Sequence, residues 1–215
     1  KYSFSFANYY NPQMMNFGML RVLNDDTVVP SMGFGTHPHD NMEIITIILE
    51  GALEHKDSMG TGSVIYKDEV QVMSAGSGIT HSEFNPSDKD AVKLFQIWIF
   101  PKEKNIKPRY DQKSFPVLVR KNKLIPAVSG LNKEGSLYIH QDAEIYLGNF
   151  KKKKKVNYQI SNPANGAYVF VIDGSLKVGD EELFKRDAIG ISEVKDFEIE
   201  MIEDSNFLII DVPMS

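Results

Sequence analysis

The sequence contains no cysteine, which excludes disulfides, thiolate metal ligands and a cysteine nucleophile. It also has no run of about 18 consecutive apolar residues, so a membrane span is not predicted. The formal net charge of −5 argues against a nucleic-acid-binding surface over the whole molecule. A chain without cysteine fits a reducing compartment, and we therefore expect the protein in the cytoplasm.

Helical patterns are scarce as well. The chain consists mostly of short segments rich in Ile, Val, Phe and Tyr, separated by Gly, Pro, Asn and Asp. This pattern is typical of many short strands in a sandwich or barrel. Residues 44–49 are almost entirely apolar, which indicates an inner strand covered on both faces. A chain of 215 residues has room for one large all-β domain or for two domains of about 100 residues each.

A degenerate internal repeat favours two domains. Residues 48–53 (ILEGAL) resemble residues 171–176 (VIDGSL), and in both an apolar strand ends in an acid and a glycine. The acid–glycine pair suits a hairpin turn that needs positive φ. Residues 66–70 (YKDEV) have a counterpart in residues 184–188 (FKRDA). Two copies of one β-module are therefore predicted, with a proline-containing connector between them.

The run of five lysines at Lys151–Lys155 has two interpretations. It could form a basic patch for nucleic acid. It could also be a solvated loop or strand edge, where lysines discourage pairing with another sheet. The acidic net charge favours the second interpretation, so we do not expect a nucleic-acid partner.

The histidines are clustered, since four of the five lie between residues 37 and 81. His37 and His39 are two residues apart, as are His81 and Glu83, and residues two apart on a strand project from the same face. If the two pairs lie side by side, three imidazoles and a carboxylate surround one point. That ligand set suits a divalent transition metal. The period also allows Glu43 as the carboxylate, because it shares the register of His37 and His39.

These residues carry a resemblance to a known superfamily. Residues 37–51 (H-x-H-x3-E-x7-G) are similar to the first motif of the cupins, and residues 76–85 resemble the second, with Gly76 in place of the usual proline. Within the cupins, the chain resembles the pirin family on three segments: GFGTHPH at 33–39, MSAGSGITHSE at 73–83 and QIWI at 96–99. Two more segments are similar to the bacterial pirin-like quercetinases: SFANYY at 5–10 and LRVLNDD at 20–26.

The resemblance implies an all-β bicupin, with two jelly-roll-like β-barrels related by the internal repeat. Residues 1–115 would form the N-terminal metal-binding cupin domain, which we expect to lack the family's first strand. Residues 116–215 would form a C-terminal cupin domain without a metal. The distribution of histidine agrees, because His140 is the only histidine after Gln112.

The resemblance also implies a ligand set, because pirins use the glutamate that lies two residues after the third histidine. One divalent ion would then have four ligands: His37, His39, His81 and Glu83. Fe(II) is the leading candidate, with Mn, Co, Ni, Cu and Zn as alternatives. Further residues are expected around the ligands or along the cavity wall: Glu43, His55, Phe34 and Met73.

The activity implied by the bacterial quercetinases is that of a metal-dependent dioxygenase of the quercetin 2,3-dioxygenase type. It would open a flavonol such as quercetin with dioxygen, and Glu83 would act as the base for the flavonol hydroxyl. The alternative, also implied by the family, is a non-enzymatic metal-binding regulatory protein that binds partner proteins, as some pirins act as transcription coregulators. A monomer is expected for a bicupin.

Overall fold

The structure, a computed structural model, describes all residues from Lys1 to Ser215. Every regular element is a β-strand, and no helix is present that is long and apolar enough to cross a membrane. The prediction of an all-β chain is confirmed.

The chain divides into two compact units. The first comprises residues 1–16, 20–115 and 139–141, and the second comprises residues 17–19, 116–138 and 142–215. The predicted domains, 1–115 and 116–215, were contiguous, so the units differ from them by the two short pieces at 17–19 and 139–141.

The first unit is built from two sheets. Its strands are β1 (Leu20–Val28), β2 (Gly33–His39), β3 (Glu43–Glu50), β4 (Ala52–Asp57), β5 (Gly62–Tyr66), β6 (Glu69–Ser74), β7 (Ile79–Phe84), β8 (Val92–Ile99) and β9 (Arg109–Ser114). One sheet has the order β1-β8-β3-β6-β9 and the other has the order β2-β7-β4-β5. Strand β3 is buried from Glu43 to Ile48, which agrees with the inner strand predicted there.

The second unit also contains two sheets. Its strands are β10 (Leu124–Ser129), β11 (Glu144–Phe150), β12 (Lys155–Gln159), β13 (Asn165–Asp173), β14 (Leu176–Val178), β15 (Glu181–Leu183), β16 (Ala188–Ile191), β17 (Asp196–Met201) and β18 (Ser205–Pro213). The sheet orders are β10-β11-β18-β13-β16 and β12-β17-β14-β15.

The strand orders confirm the internal repeat. The order β1-β8-β3-β6 in the first unit corresponds to β11-β18-β13-β16 in the second, and β2-β7-β4-β5 corresponds to β12-β17-β14-β15. Strands β9 and β10 are the additional edge strands. The predicted hairpin turns match too, because Gly51 and Gly174 have φ of 78° and 84°. The second pair of matching segments, residues 66–70 and 184–188, agrees as well, because Asp68 and Arg186 both have positive φ.

The core of each unit lies between its sheets. In the first unit, Ile48, Leu53, Ile65 and Leu94 pack together in one buried cluster. In the second unit, one larger buried cluster includes Val169, Phe207 and Ile209. The clustered histidines of the first unit lie outside this apolar cluster, on β2, β4 and β7 of the smaller sheet.

The lysine run follows β11. Lys151 pairs with Asp204, and Lys155 pairs with Glu198 and Glu200. These side chains are about half exposed, as expected for solvated ion pairs.

Candidate metal centre

Three histidines meet where β2 and β7 pair. His37 and His81 are directly opposite one another across the two strands, and His39 follows His37 on the same face of β2. The ring centroids lie 4.4 Å apart for His37 and His81, 4.9 Å for His37 and His39, and 5.0 Å for His39 and His81. One ligand nitrogen from each ring lies within 4.8 Å of the other two.

A β-bulge orients His37. The register of β2 against β7 shifts between Phe34 and His37, which inserts one extra residue into β2. Within this bulge, His37 Nδ1 lies 2.8 Å from the carbonyl oxygen of Gly35. Because a carbonyl only accepts, Nδ1 carries the proton, and Nε2 is left with a free lone pair. A hydrogen bond from the other ring nitrogen to a carbonyl oxygen fixes the tautomer of many metal-binding histidines.

The electrostatics of the cluster keep the rings of His39 and His81 neutral. Burial, reinforced by the neighbouring His37, lowers the pKa of His39 to about 4. Burial and the other three nearby histidines lower the pKa of His81 to about 3. His81 is buried, and neither of its ring nitrogens has a hydrogen-bond partner. Neutral imidazoles with unpartnered lone pairs are what a divalent cation binds, so the residues fit a metal ion.

Glu83 lies beside His81 on β7, in a fixed pose. Gln96 Nε2 donates to both carboxylate oxygens at 2.9 Å and also reaches Thr46 Oγ1 at 3.1 Å. Burial raises the pKa of Glu83 to about 7, although the hydrogen bonds from Gln96 and Thr46 lower it. Trp98 Nε1 in turn donates to Gln96 Oε1 at 3.3 Å. The carboxylate is therefore fixed by the neutral Gln96 side chain, which is itself hydrogen-bonded to Thr46 and Trp98.

His55 belongs to the same cluster. It lies opposite Glu83 across β4 and β7, and its ligand atom lies within 4.8 Å of those of His81 and Glu83. Its Nε2 is 3.1 Å from Asp57 Oδ2, while Nδ1 is buried without a partner. The structure thus contains two overlapping triads that share His81, and Glu83 belongs to the triad with His55.

The other predicted neighbours lie in different places. Phe34 lines the cavity described below. Met73 is fully buried among Ile44, Ala75 and Ile79, and does not line that cavity. Glu43 is fully buried too, and accepts a 2.7 Å hydrogen bond from Ser74 Oγ, but it belongs to neither group of candidate ligands.

A cavity of about 480 Å³ opens onto the three histidines and Glu83. Its apolar wall includes Phe6, Phe34 and Trp98, and the Trp98 ring packs edge-on against Phe6 and His39. Its polar wall includes Asn24 and Asp26. The volume is in the range of typical small-molecule sites, about 300–1,000 Å³.

Sequence reasoning gave no role to Gln96, Trp98, Asn24 or Asp26. One signal was present, because Gln96 and Thr46 are polar residues inside strongly apolar strands. The pairing register brings them together: Gln96 lies opposite Thr46 on β3 and opposite Asn24 on β1. They form one polar row across three strands, behind Glu83.

Comparison with known families agrees with the fold. Residues 1–99 match the family described as Pirin, and residues 127–212 match the family described as Quercetinase C-terminal cupin domain. The fold and the histidine–glutamate site together define a bicupin with a candidate metal centre in its first unit.

Two similar proteins and one crystal structure identify the family. The chain is 40% identical over 212 residues to quercetin 2,3-dioxygenase of Escherichia coli K12, covering 99% of this chain and 90% of that protein. It is 38% identical over 212 residues to a pirin-like protein of Caulobacter vibrioides, covering 98% and 90%. The crystal structure of the bacterial pirin YhhW of E. coli in complex with nickel(II) superposes with a TM-score of 0.94 at 39% identity, covering 100% and 91%. This chain belongs to the pirin family.

Proposed function

We propose that this protein is a metal-dependent dioxygenase that opens the ring of a flavonol such as quercetin, with Glu83 as the general base. The observation that carries the proposal is the placement of Glu83. It is a buried carboxyl two residues after His81, at the wall of a cavity that has aromatic sides and also opens onto His37 and His39. The name of the E. coli relative, quercetin 2,3-dioxygenase, supports the same reaction.

The proposed ligands are His37, His39, His81 and Glu83, and the proposed native metal is Fe(II). Three imidazoles and one carboxylate also accept other first-row ions, so the ligand set alone does not select iron. When bound, the ion would supply Lewis-acid polarisation of a flavonol hydroxyl.

Glu83 suits the role of base because it is a carboxyl that lines the cavity beside His81, and in the metal-free protein burial raises its pKa to about 7. A base works best when its pKa lies near the working pH, and a positioned base typically contributes about 10²–10⁴-fold to the rate. Gln96 donates to both oxygens, so the carboxylate does not rotate away from the cavity. We assign the flavonol hydroxyl proton to Glu83.

The cavity walls suit a planar aromatic substrate. Phe34 and Trp98 offer ring faces and edges, and aromatic pairs gain about 0.5–1.5 kcal/mol beyond the burial of area.

The test is an aerobic turnover assay with quercetin. Protein reconstituted with Fe(II) should bleach the near-visible absorption band of quercetin and release carbon monoxide, and chelator-treated protein should do neither. If metal-loaded protein leaves quercetin intact but retains a specific protein partner, the regulatory alternative replaces this proposal.

A further inference from the structure

The cavity has one polar edge, formed by β1. Asn24 and Asp26 both line the cavity, and they are two residues apart on this strand. Residues two apart on a strand project from the same face, with a spacing of about 7 Å. The other side chains that line the cavity are the aromatic rings of Phe6, Phe34 and Trp98 and the polar groups of the metal centre with Gln96. Apart from the metal centre, a planar ligand in the cavity therefore meets polar side chains along β1.

Both side chains present hydrogen-bond acceptors. Asn24 is 2% exposed, and its Oδ1 has no hydrogen-bond partner. Asp26 contributes a carboxylate, which lies near enough to Glu83 to raise the pKa of that group. A buried acceptor without a donor is unfavourable, so a ligand that brings an O–H group binds with an advantage. A ligand that places a carboxylate at this edge is repelled by the negative charge of the Asp26 carboxylate.

The acceptors lie at a suitable distance from the reacting centre. Asn24 is directly opposite Gln96, which holds Glu83, so one interstrand spacing of about 4.8 Å separates the two backbones. A flavonol whose reacting hydroxyl lies at Glu83 can reach β1 with the hydroxyls of its other rings.

We infer that Asn24 and Asp26 form a hydroxyl-recognition edge, which selects uncharged polyhydroxylated aromatic substrates over analogues that lack the peripheral hydroxyls or carry a carboxylate there. This inference rests on the proposed function for the position of the reacting hydroxyl. It adds the residues that select the substrate by its peripheral hydroxyls.

Ligand binding under anaerobic conditions tests the inference separately from turnover. Trp98 is the only tryptophan of the chain and lines the cavity, so quenching of its fluorescence reports binding directly. The ligands are quercetin and 3-hydroxyflavone, which lacks the peripheral hydroxyls. In the wild type we expect quercetin to bind at least tenfold more tightly. The Asn24→Leu and Asp26→Leu variants should each reduce that ratio about tenfold, since one hydrogen bond to a charged or buried group accounts for about this factor.

A gain of binding supplies a readout that a merely structural role would not change. A 3-hydroxyflavone with a 4′-carboxylate should bind the wild type weakly, and the Asp26→Asn variant should bind it at least fivefold more tightly. Thr27→Val is the matched control, because Thr27 is an exposed residue on the opposite face of β1. It should leave the ratio between quercetin and 3-hydroxyflavone unchanged.

The inference is overturned if Asn24→Leu and Asp26→Leu weaken both ligands equally, or if the carboxylate analogue gains nothing in Asp26→Asn. Absence of quercetin turnover together with the expected binding ratios would contradict the proposed reaction and leave the recognition edge standing.

Discussion

Glu43 and Glu83 are both buried carboxyls whose pKa values are raised to about 7 by burial. Their surroundings differ. Glu83 lines the cavity beside His81, whereas Glu43 is enclosed by the protein, where Ser74 donates to it. A shifted pKa alone therefore does not identify the base, and the proposal of Glu83 depends on the position of this carboxyl relative to the cavity and the histidines.

At the scale of the residue, the raised pKa of Glu43 predicts how the stability of the fold depends on pH. Its pKa is raised from 4.5 to about 7 in the folded state, so the folded protein keeps a proton that the unfolded chain releases. The stabilising contribution is complete below about pH 4.5 and is lost as pH rises through 7. The Glu43→Gln variant does not titrate, so its unfolding free energy relative to the wild type should increase by up to about 3 kcal/mol between pH 4.5 and pH 8. Urea denaturation of the metal-free proteins at several pH values measures this, and a constant difference would contradict the assignment.

At the scale of the element, the close pairing of β2 with β7 sets the geometry of the site. A Cβ on Gly33 would lie 2.2 Å from the carbonyl oxygen of Glu83 and 2.6 Å from the Cα of Phe84. A side chain at this position must therefore push the two strands apart. Gly35, in the bulge of the same strand, has no heavy atom within 4 Å of its would-be Cβ.

Gly33→Ala should accordingly destabilise the fold by about 1–3 kcal/mol, the usual range for overpacking. It should also weaken metal binding at least tenfold, because His37 and His81 lie on the strands that separate. Gly35→Ala is the matched control and should change both quantities little. Thermal unfolding and metal titration of the two variants check the expectation, and equal effects would show that strand spacing does not set the site.

Period-2 spacing on two short strands is local information, so the sequence predicted that His37, His39 and His81 lie together. It left Glu43 and Glu83 both open as the carboxylate, and only the family resemblance favoured Glu83. The sequence did not predict the roles of Gln96 and Asn24. Their placement depends on the register of β8 against β1 and β3, which joins residues about 50 or more positions apart in the chain. His55 was expected only near the site, and its pairing opposite Glu83 likewise follows from the register of β4 against β7.

At the scale of the whole molecule, the two units share a strand order and differ in chemistry. The second unit contains no histidine. By the internal repeat, Thr46 corresponds to Val169, whose partner on β18 is Ile209, where the first unit has Gln96. The polar pair of the first unit is thus replaced by an apolar pair. The absence of histidine from the second unit was visible in the sequence, whereas this replacement depends on the strand register.

This asymmetry predicts one metal ion per chain. Metal analysis after reconstitution and desalting should give a ratio near one in the wild type and near zero in His81→Ala. His140→Ala is the control, because His140 is the one histidine outside the cluster, and it should retain the metal. Two ions per chain, or full retention by His81→Ala, would contradict the assignment to the first unit.

The most direct test of the central claim compares Glu83→Gln with Glu43→Gln in the quercetin assay, with equal metal content confirmed. The two variants make the same chemical change at two buried carboxyls with similarly raised pKa values. We predict that Glu83→Gln loses at least 100-fold in carbon monoxide release, as expected for removal of a general base. Glu43→Gln should keep a rate near that of the wild type. Undiminished release by metal-loaded Glu83→Gln, or equal losses in both variants, would contradict the account.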